Sequence, residues 1–154
     1  MVGDFRGRVH AEGFLVHDRT SAVAKKKRFV FTGTPEAAEA ASDPTAETAS
    51  TELVEESHVP PDMTLVRAIL GTGRQHQVRA TLHSLGFPLA GDKLYGPDER
   101  LFLKIRDGAL TTEDMKLLRF PRQALHAAVL EFRHPFTGEL LRFESPFPRT
   151  EFGF

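Results

Sequence analysis

The stretch LGTGRQHQVRATLHSLG, residues 70–86, constrains the fold of this chain more than any other. If residues 75–85 form a helix, its apolar residues recur at spacings of four and three and share one stripe. These residues are Val78, Leu82 and Leu85. Gly86 and Pro88 follow as stop signals. The stretch therefore predicts a helix that packs one face on a core.

A second stripe of the same helix is basic and consists of His76, Arg79 and His83. Arg79 borders the apolar stripe, and a half-buried guanidinium needs an anionic partner because an unpaired buried charge costs several kcal/mol. The spacing leaves both a structural and a catalytic carboxylate open as that partner. The two histidines are seven residues apart without a third ligand nearby, which makes a poor metal site.

An anion-binding corner is expected at the N-terminal end of this helix. Thr72 and Gly73 would leave free backbone N–H groups at the positive end of the helix dipole, with Arg74 beside them.

The charges are distributed unevenly along the chain, although the net charge is only −1. Residues 33–66 contain eight acids and no Lys or Arg, which leaves 13 acids against 20 bases elsewhere, a balance of +7. Such a basic body can hold a polyanion through its phosphates. An ordinary surface of mixed charge remains the alternative.

Composition favours one domain, since 154 residues with 40% hydrophobic side chains can bury a single core. There is no cysteine, which excludes disulfides and thiolate zinc sites. The first residues lack a signal-peptide core, and no window reaches the ~18 apolar residues of a membrane span. We expect a cytoplasmic protein without a membrane partner.

The remaining pattern predicts an α+β fold with a mainly antiparallel mixed sheet and a few short helices. Antiparallel hairpins are expected around HVPPD and HPFTG, and short helices within GPDERLFLKIRDG and TTEDMKLL. Residues 34–50, here called the acidic segment, have no large apolar side chain, and we expect them to form a disordered loop. The final FPRTEFGF is expected to be an irregular tail.

The stretch TGRQHQVRATLHSLGFPLAGDKLYG resembles the signature T-G-R-x-H-Q-x-R, followed by G-D-x-x-Y, of RluA-type RNA pseudouridine synthases. The later RQALHAAVLEFRHPFTGELLRFESPFP is similar to the L-H-A, H-P and S-P-x-P landmarks of that family. Most of the chain apart from the acidic segment is covered, so the resemblance implies part of the pseudouridine synthase fold.

The activity that this resemblance implies is isomerisation of uridine to pseudouridine in ribosomal or transfer RNA. The base is flipped out, its N1–C1′ bond is broken, and C5 is joined to C1′ after the uracil turns. No metal or redox cofactor is needed.

The resemblance also assigns roles to individual residues. Arg79 matches the arginine that pairs with the catalytic aspartate, and Leu125 matches the apolar residue of the base pocket. The residues expected to contact RNA are Arg74, His76, Gln77, Lys25, Lys26, Lys27 and Arg28.

One departure from the family pattern concerns the nucleophile. The H-R-L-D-x-x-T-S-G segment with the catalytic aspartate, and a K-x-Y strand after it, have no counterpart here. VHDRTS echoes the aspartate motif only in part, which leaves Asp18 as an alternative nucleophile. Tyr95 and Asp92 are expected to be structural, with Asp92 bonding its own turn.

The sequence thus resembles the C-terminal half to two-thirds of a pseudouridine synthase, and the chain alone is expected to be inactive. Three explanations remain open: a fragment or mis-set start, a truncated RNA-binding module, or one half of a split enzyme. Because a fragment of this fold would expose an unpaired sheet edge and apolar surface, we expect self-association or a partner that supplies the missing half.

Overall fold

The computed structural model describes residues 1–152 of the chain. They form two compact units, Met1–Gln123 and Ala124–Phe154, where the sequence predicted one domain. The elements combine antiparallel sheets with short helices, so the predicted α+β class is confirmed. Among the described residues, no helix has the length and apolar character needed to cross a membrane.

The first unit is built on one four-stranded antiparallel sheet in the order β2-β1-β3-β4. Its strands are β1 (Arg8–His17), β2 (Lys27–Phe31), β3 (Glu47–Val59) and β4 (Met63–Leu70). The predicted hairpin around HVPPD is the β3–β4 turn, with Val59 opposite Met63. Position 13 of β1 requires glycine, because a Cβ there would approach the Val30 carbonyl oxygen to 2.0 Å.

The acidic segment contains regular structure, which differs from the expected disordered loop. Helix α1 (Ala37–Ser42) lies within it, and β3 begins at Glu47. Small side chains are sufficient for this packing, since Ala40 is buried in a cluster with Val16 and Val30.

Helix α2 (Gln77–Ser84) is the helix that the sequence predicted. Val78 and Leu82 are buried in a cluster with Leu53, as the apolar stripe required. Gly86 ends the helix with φ +83°, and the N–H of Phe87 donates to the Leu82 carbonyl at 2.9 Å. The predicted stop is therefore a left-handed glycine turn.

Two further helices complete the first unit, both near their predicted positions. They are α3 (Arg100–Arg106) and α4 (Thr112–Leu118). The predicted threonine cap of α4 is confirmed, because Thr111 accepts from the Asp114 N–H and Asp114 accepts from the Thr111 N–H.

The second unit consists of one hairpin and one turn of 3-10 helix. Strands β5 (Val129–Arg133) and β6 (Leu140–Glu144) flank HPFTG as predicted. The expected irregular tail forms a short 3-10 helix, Arg149–Phe152, and its last two residues lie outside the described part. The strands stay exposed, with Leu130 57% and Phe143 56% accessible.

Candidate functional site

The basic stripe of α2 converges on a single buried tyrosine, Tyr95. The Tyr95 hydroxyl accepts the Lys27 N–H at 2.9 Å and lies 3.1 Å from Nδ1 of His76. The Tyr95 carbonyl oxygen is 2.8 Å from Nδ1 of His83. The guanidinium carbon of Arg79 lies 4.9 Å from the centre of the tyrosine ring. The structural role expected for Tyr95 is thus to join the G-D-x-x-Y loop to α2 and β2.

The two histidines bond Tyr95 in different ways. A carbonyl oxygen can only accept, so Nδ1 of His83 carries a proton. Nδ1 of His76 instead bonds the Tyr95 hydroxyl, which can both donate and accept. Burial, followed by the charge of Arg79, lowers the pKa of His76. His76 is therefore mainly neutral at pH 7.

Arg79 has a carboxylate partner within this chain, Asp92. Nε of Arg79 donates to Oδ2 at 2.7 Å and Nη2 donates to Oδ1 at 2.8 Å. The Arg79 side chain is 16% exposed and that of Asp92 is fully buried. In this structure the partner of Arg79 is therefore a structural carboxylate. The signal in the sequence was an aspartate in the G-D-x-x-Y loop, thirteen residues after Arg79.

Asp92 also bonds its own turn, as predicted. Its Oδ1 accepts the backbone N–H groups of Leu94 at 3.0 Å and Tyr95 at 2.9 Å. Burial alone would raise the pKa of Asp92, but the hydrogen bonds from Arg79, Tyr95 and Leu94 outweigh it, and the pKa lies below its ordinary value. Asp92 therefore stays ionised but has no access to a substrate.

Gln77 was expected to contact RNA, and the structure corrects this. The residue is buried, and its Oε1 accepts from the Thr72 hydroxyl at 2.8 Å and the Arg74 N–H at 2.9 Å. Its Nε2 donates to the Ser50 carbonyl and the Thr51 hydroxyl, each at 2.9 Å. All these bonds lie within the chain, so Gln77 fixes the loop before α2.

The predicted anion-binding corner lies around Arg74. Arg74 is exposed, with its Nε 3.3 Å from the Thr48 carbonyl oxygen. His76 lies beside it in a left-handed conformation, φ 60°, which ends the loop and begins α2. These two side chains remain accessible to an RNA backbone at this corner.

The basic run of residues 25–28 does not form one exposed patch. Lys25 is exposed, while Lys26 is only 7% accessible and donates to Glu99 at 2.8 Å. The run is therefore divided between interior and surface. The expectation that Lys26 contacts RNA is corrected by its burial.

The last two residues of the run are paired with acids of the acidic segment. Lys27 forms an ion pair with Glu47, and Arg28 Nη1 is 3.4 Å from Glu36 Oε2. Their positive charges are thus largely balanced within the chain.

Asp18 occupies a turn at the end of β1. Its Oδ1 accepts from the Thr20 N–H at 3.1 Å and hydroxyl at 2.6 Å, and its Oδ2 is 3.6 Å from Lys26 Nζ. The carboxylate also borders a cavity of about 650 Å³. These local bonds account for an aspartate here without a nucleophilic role.

Leu125, the expected residue of the base pocket, belongs to the second unit and is 42% exposed. Among the described residues, no group of three or more His, Asp or Glu is placed to hold a metal ion.

No protein-family model matches the chain. Its fold is that of a pseudouridine synthase domain. The structure of human RNA pseudouridylate synthase domain containing 1 aligns with 97% of this chain and 54% of that chain, with a TM-score of 0.66 and 22% identity.

Similarity to curated proteins is stronger over part of the sequence. The chain is 46% identical over 87 residues to an uncharacterized RNA pseudouridine synthase of Bacillus subtilis, which covers 56% of this chain and 23% of that protein. It is 47% identical over 88 residues to ribosomal large subunit pseudouridine synthase D of Nitrosomonas europaea, covering 55% and 22%. The chain is therefore similar in sequence to proteins named RNA pseudouridine synthase, and the matches span less than a quarter of those relatives.

Proposed function

We propose that this chain takes part in isomerising uridine to pseudouridine in ribosomal or transfer RNA. Its relatives carry the name RNA pseudouridine synthase, and its signature residues lie together around Tyr95. The arrangement of Arg79 supports this function most directly. The residue is half-buried and rigidly held beside the loop that the family signature defines.

Arg79 is suited to hold a second anion. The two bonds to Asp92 use Nε and Nη2, and within the described residues Nη1 donates to nothing. A guanidinium whose Nε and Nη2 are bonded to one carboxylate presents its remaining N–H groups, on the edge that contains Nη1, in a defined direction. We propose that this free edge keeps the catalytic carboxylate ionised and aimed at the ribose.

The catalytic carboxylate itself is proposed to come from a segment outside these 154 residues. Asp92 is buried and fully bonded, and Asp18 is engaged by Thr20, so neither is placed to attack a ribose. The chain alone is then inactive, either as a part of a larger enzyme or as one half of a split enzyme. A truncated module that only binds RNA is the second candidate.

The RNA contact is proposed at Arg74, His76 and Lys25, which are accessible in this structure. Phosphate contacts dominate RNA affinity, so binding should weaken steeply as salt is added. The site uses no metal or redox cofactor in this proposal.

The test is release of tritium from C5-labelled uridine in RNA. The chain is assayed alone and with its upstream coding sequence joined in frame. We expect turnover only from the extended protein. Its Arg79→Ala and Arg79→Lys variants should lose turnover by several orders of magnitude. Lysine keeps the positive charge but lacks the planar guanidinium that binds two carboxylates at once.

Two results would contradict the proposal. One is an extended, folded protein that binds RNA but never forms pseudouridine, which would favour the RNA-binding module. The other is turnover by the short chain that disappears in Asp18→Asn, which would make Asp18 the nucleophile.

A further inference from the structure

The acidic segment lies directly against cations that were expected to contact RNA. Glu36 is 3.4 Å from Arg28, and Glu47 is paired with Lys27. Both cations belong to β2, and both acids belong to residues 34–50. The segment therefore pairs with the last two cations of the basic run, Lys27 and Arg28.

The same segment extends toward Arg74 at its C-terminal end. The Thr48 carbonyl accepts from Arg74 Nε at 3.3 Å, and the charge of Arg74 contributes to the lowered pKa of Glu47, after the hydrogen bond from Lys27. The segment thus reaches both regions of predicted RNA contact.

A cavity of about 650 Å³ is lined by residues of α1, of the end of β1 and of the start of β2. Three acids of the segment line it, Glu36, Glu39 and Asp43, together with Arg19 and Arg28. Arg19 is 83% exposed and lies 3.6 Å from Asp43. The cavity is open enough to admit a phosphate group, and its cations are held only by acids of this one segment among the described residues.

Residues 34–46 of the segment, which precede β3, are held in place by weak contacts. The apolar anchors of this part are two alanines, Ala40 and Ala46, packed with Val16 and Val30. The Arg28–Glu36 pair is exposed, with 42% and 66% accessible side chains, and such pairs contribute little to stability and are screened by salt. A phosphate can therefore replace these carboxylates without disrupting the core.

We propose that the acidic segment is an intramolecular competitor of RNA. Its carboxylates occupy the surface formed by Arg19 and Arg28, and the RNA backbone binds there when it displaces them. This inference rests on the proposed function and identifies a second phosphate-contact surface beside the Arg74 corner. It also gives a role to the acids of this segment, because the chain outside residues 33–66 has an excess of seven positive charges.

The test compares RNA affinity between the wild-type chain and the variant Glu36→Gln, Asp43→Asn, Glu47→Gln. Asparagine at position 43 keeps the oxygen that accepts from the Thr45 N–H and hydroxyl, so the turn is retained. The probe is a labelled single-stranded RNA oligonucleotide. We expect roughly tenfold tighter binding near 0.1 M salt and a salt slope steeper by about 1.5 to 2, since each new phosphate contact adds about 0.7.

The matched control carries the same charge change on exposed acids elsewhere: Glu56→Gln, Asp107→Asn and Glu113→Gln. A general effect of net charge would improve binding equally in both triple variants, and that result would overturn the inference. The gain should vanish when Arg19→Gln and Arg28→Gln are added to the acid-neutralised variant. A gain that persists there would also overturn it.

The outcome is separable from that of the proposed function. Pseudouridine formation by the extended protein tests the activity, whereas affinity differences between these variants test the competition. If neither the wild type nor the acid-neutralised variant binds RNA, the competition is refuted whatever the tritium assay gives.

Discussion

The guanidinium of Arg79 meets the carboxylate of Asp92 along one edge, with Nε 2.7 Å from Oδ2 and Nη2 2.8 Å from Oδ1. The aspartate is fully buried and also accepts two backbone N–H groups of its own loop. One carboxylate therefore fixes both the arginine of α2 and the loop that carries Tyr95.

Removing this carboxylate should destabilise the fold strongly. Asp92→Asn leaves the half-buried Arg79 charge without its partner, and we expect the free energy of unfolding to fall by about 3 kcal/mol, a loss typical of one-sided removal of a buried pair. Urea denaturation measures this. Asp107→Asn, which removes an exposed acid, is the control and should change stability little. A loss equal to that of the control would mean that the pair is structurally unimportant.

Acid should act on the same pair. The pKa of Asp92 is lower in the folded chain than its ordinary value, so its contribution is complete above the unfolded pKa of about 3.9 and is lost as pH falls through the native pKa. Denaturation midpoints followed from pH 5 to about pH 2 should fall less steeply in Asp92→Asn. Parallel curves for both proteins would contradict this assignment.

His76 should make stability depend on pH in a higher window. Burial lowers its pKa from the ordinary 6.5, so the unfolded chain takes up the proton first. Stability is then complete above pH 6.5 and decreases as pH falls from 6.5 to the lower native pKa. His76→Gln should remove this dependence, whereas His10→Gln, at an exposed position, should keep it. NMR titration of the His76 ring provides a direct check, and a midpoint at or above 6.5 would refute the prediction.

Deletions in the acidic segment should have effects that depend on where they end. Replacing residues 35–44 with a short glycine-serine linker removes α1 but keeps β3, and we expect a loss of roughly 1 kcal/mol, close to a loop-closure term. Extending the deletion to residue 50 also removes four residues of β3 that pair with β1, and should unfold the chain. The melting temperatures of the two deletion variants, compared with that of the wild type, test this prediction. Equal stability of the two would show that the start of β3 is not needed.

Arg74 and Lys26 should respond to substitution in opposite ways. Arg74→Gln is expected to weaken RNA binding and to reduce the salt slope by about 0.7 to 0.9, with the melting temperature unchanged, because Arg74 is exposed. Lys26→Gln is expected to lower the melting temperature, because Lys26 is the buried partner of Glu99. Fluorescence titration and calorimetry measure the two effects. A large loss of affinity in a stable Lys26→Gln variant would reverse the assignment.

The outer edge of β4 should promote self-association. Its start pairs with Val2, but in the described part of the chain residues 65–70 have a strand partner on the β3 side alone. Ile69 is 48% exposed there, and an apolar open edge invites another strand. Sedimentation should show concentration-dependent association that Ile69→Lys reduces. Ile105→Lys, at an exposed isoleucine of α3, should not. A monomer at all concentrations would refute this prediction.

Much of the fold could be predicted because its signals are local. The hairpin around HVPPD, the threonine cap of α4 and the glycine stop of α2 each depend on a few neighbouring residues. The acidic segment was misjudged for a related reason. An alanine-rich stretch has little apolar surface to bury by itself. The helix is stabilised here because Ala40 packs on Val16 and Val30, which the local sequence does not reveal.

The sequence by itself determined the α+β class, the amphipathic helix α2, the family resemblance, and the need of Arg79 for an anionic partner. These follow from periodicity and motif, which depend on the order of residues along the chain. The tertiary structure alone decided that the partner is Asp92, that Gln77 and Lys26 face inward, and that Glu36 and Glu47 neutralise β2. Such pairings join positions that are 8 to 73 residues apart, and burial and charge balance depend on which distant groups the fold brings within a few ångströms.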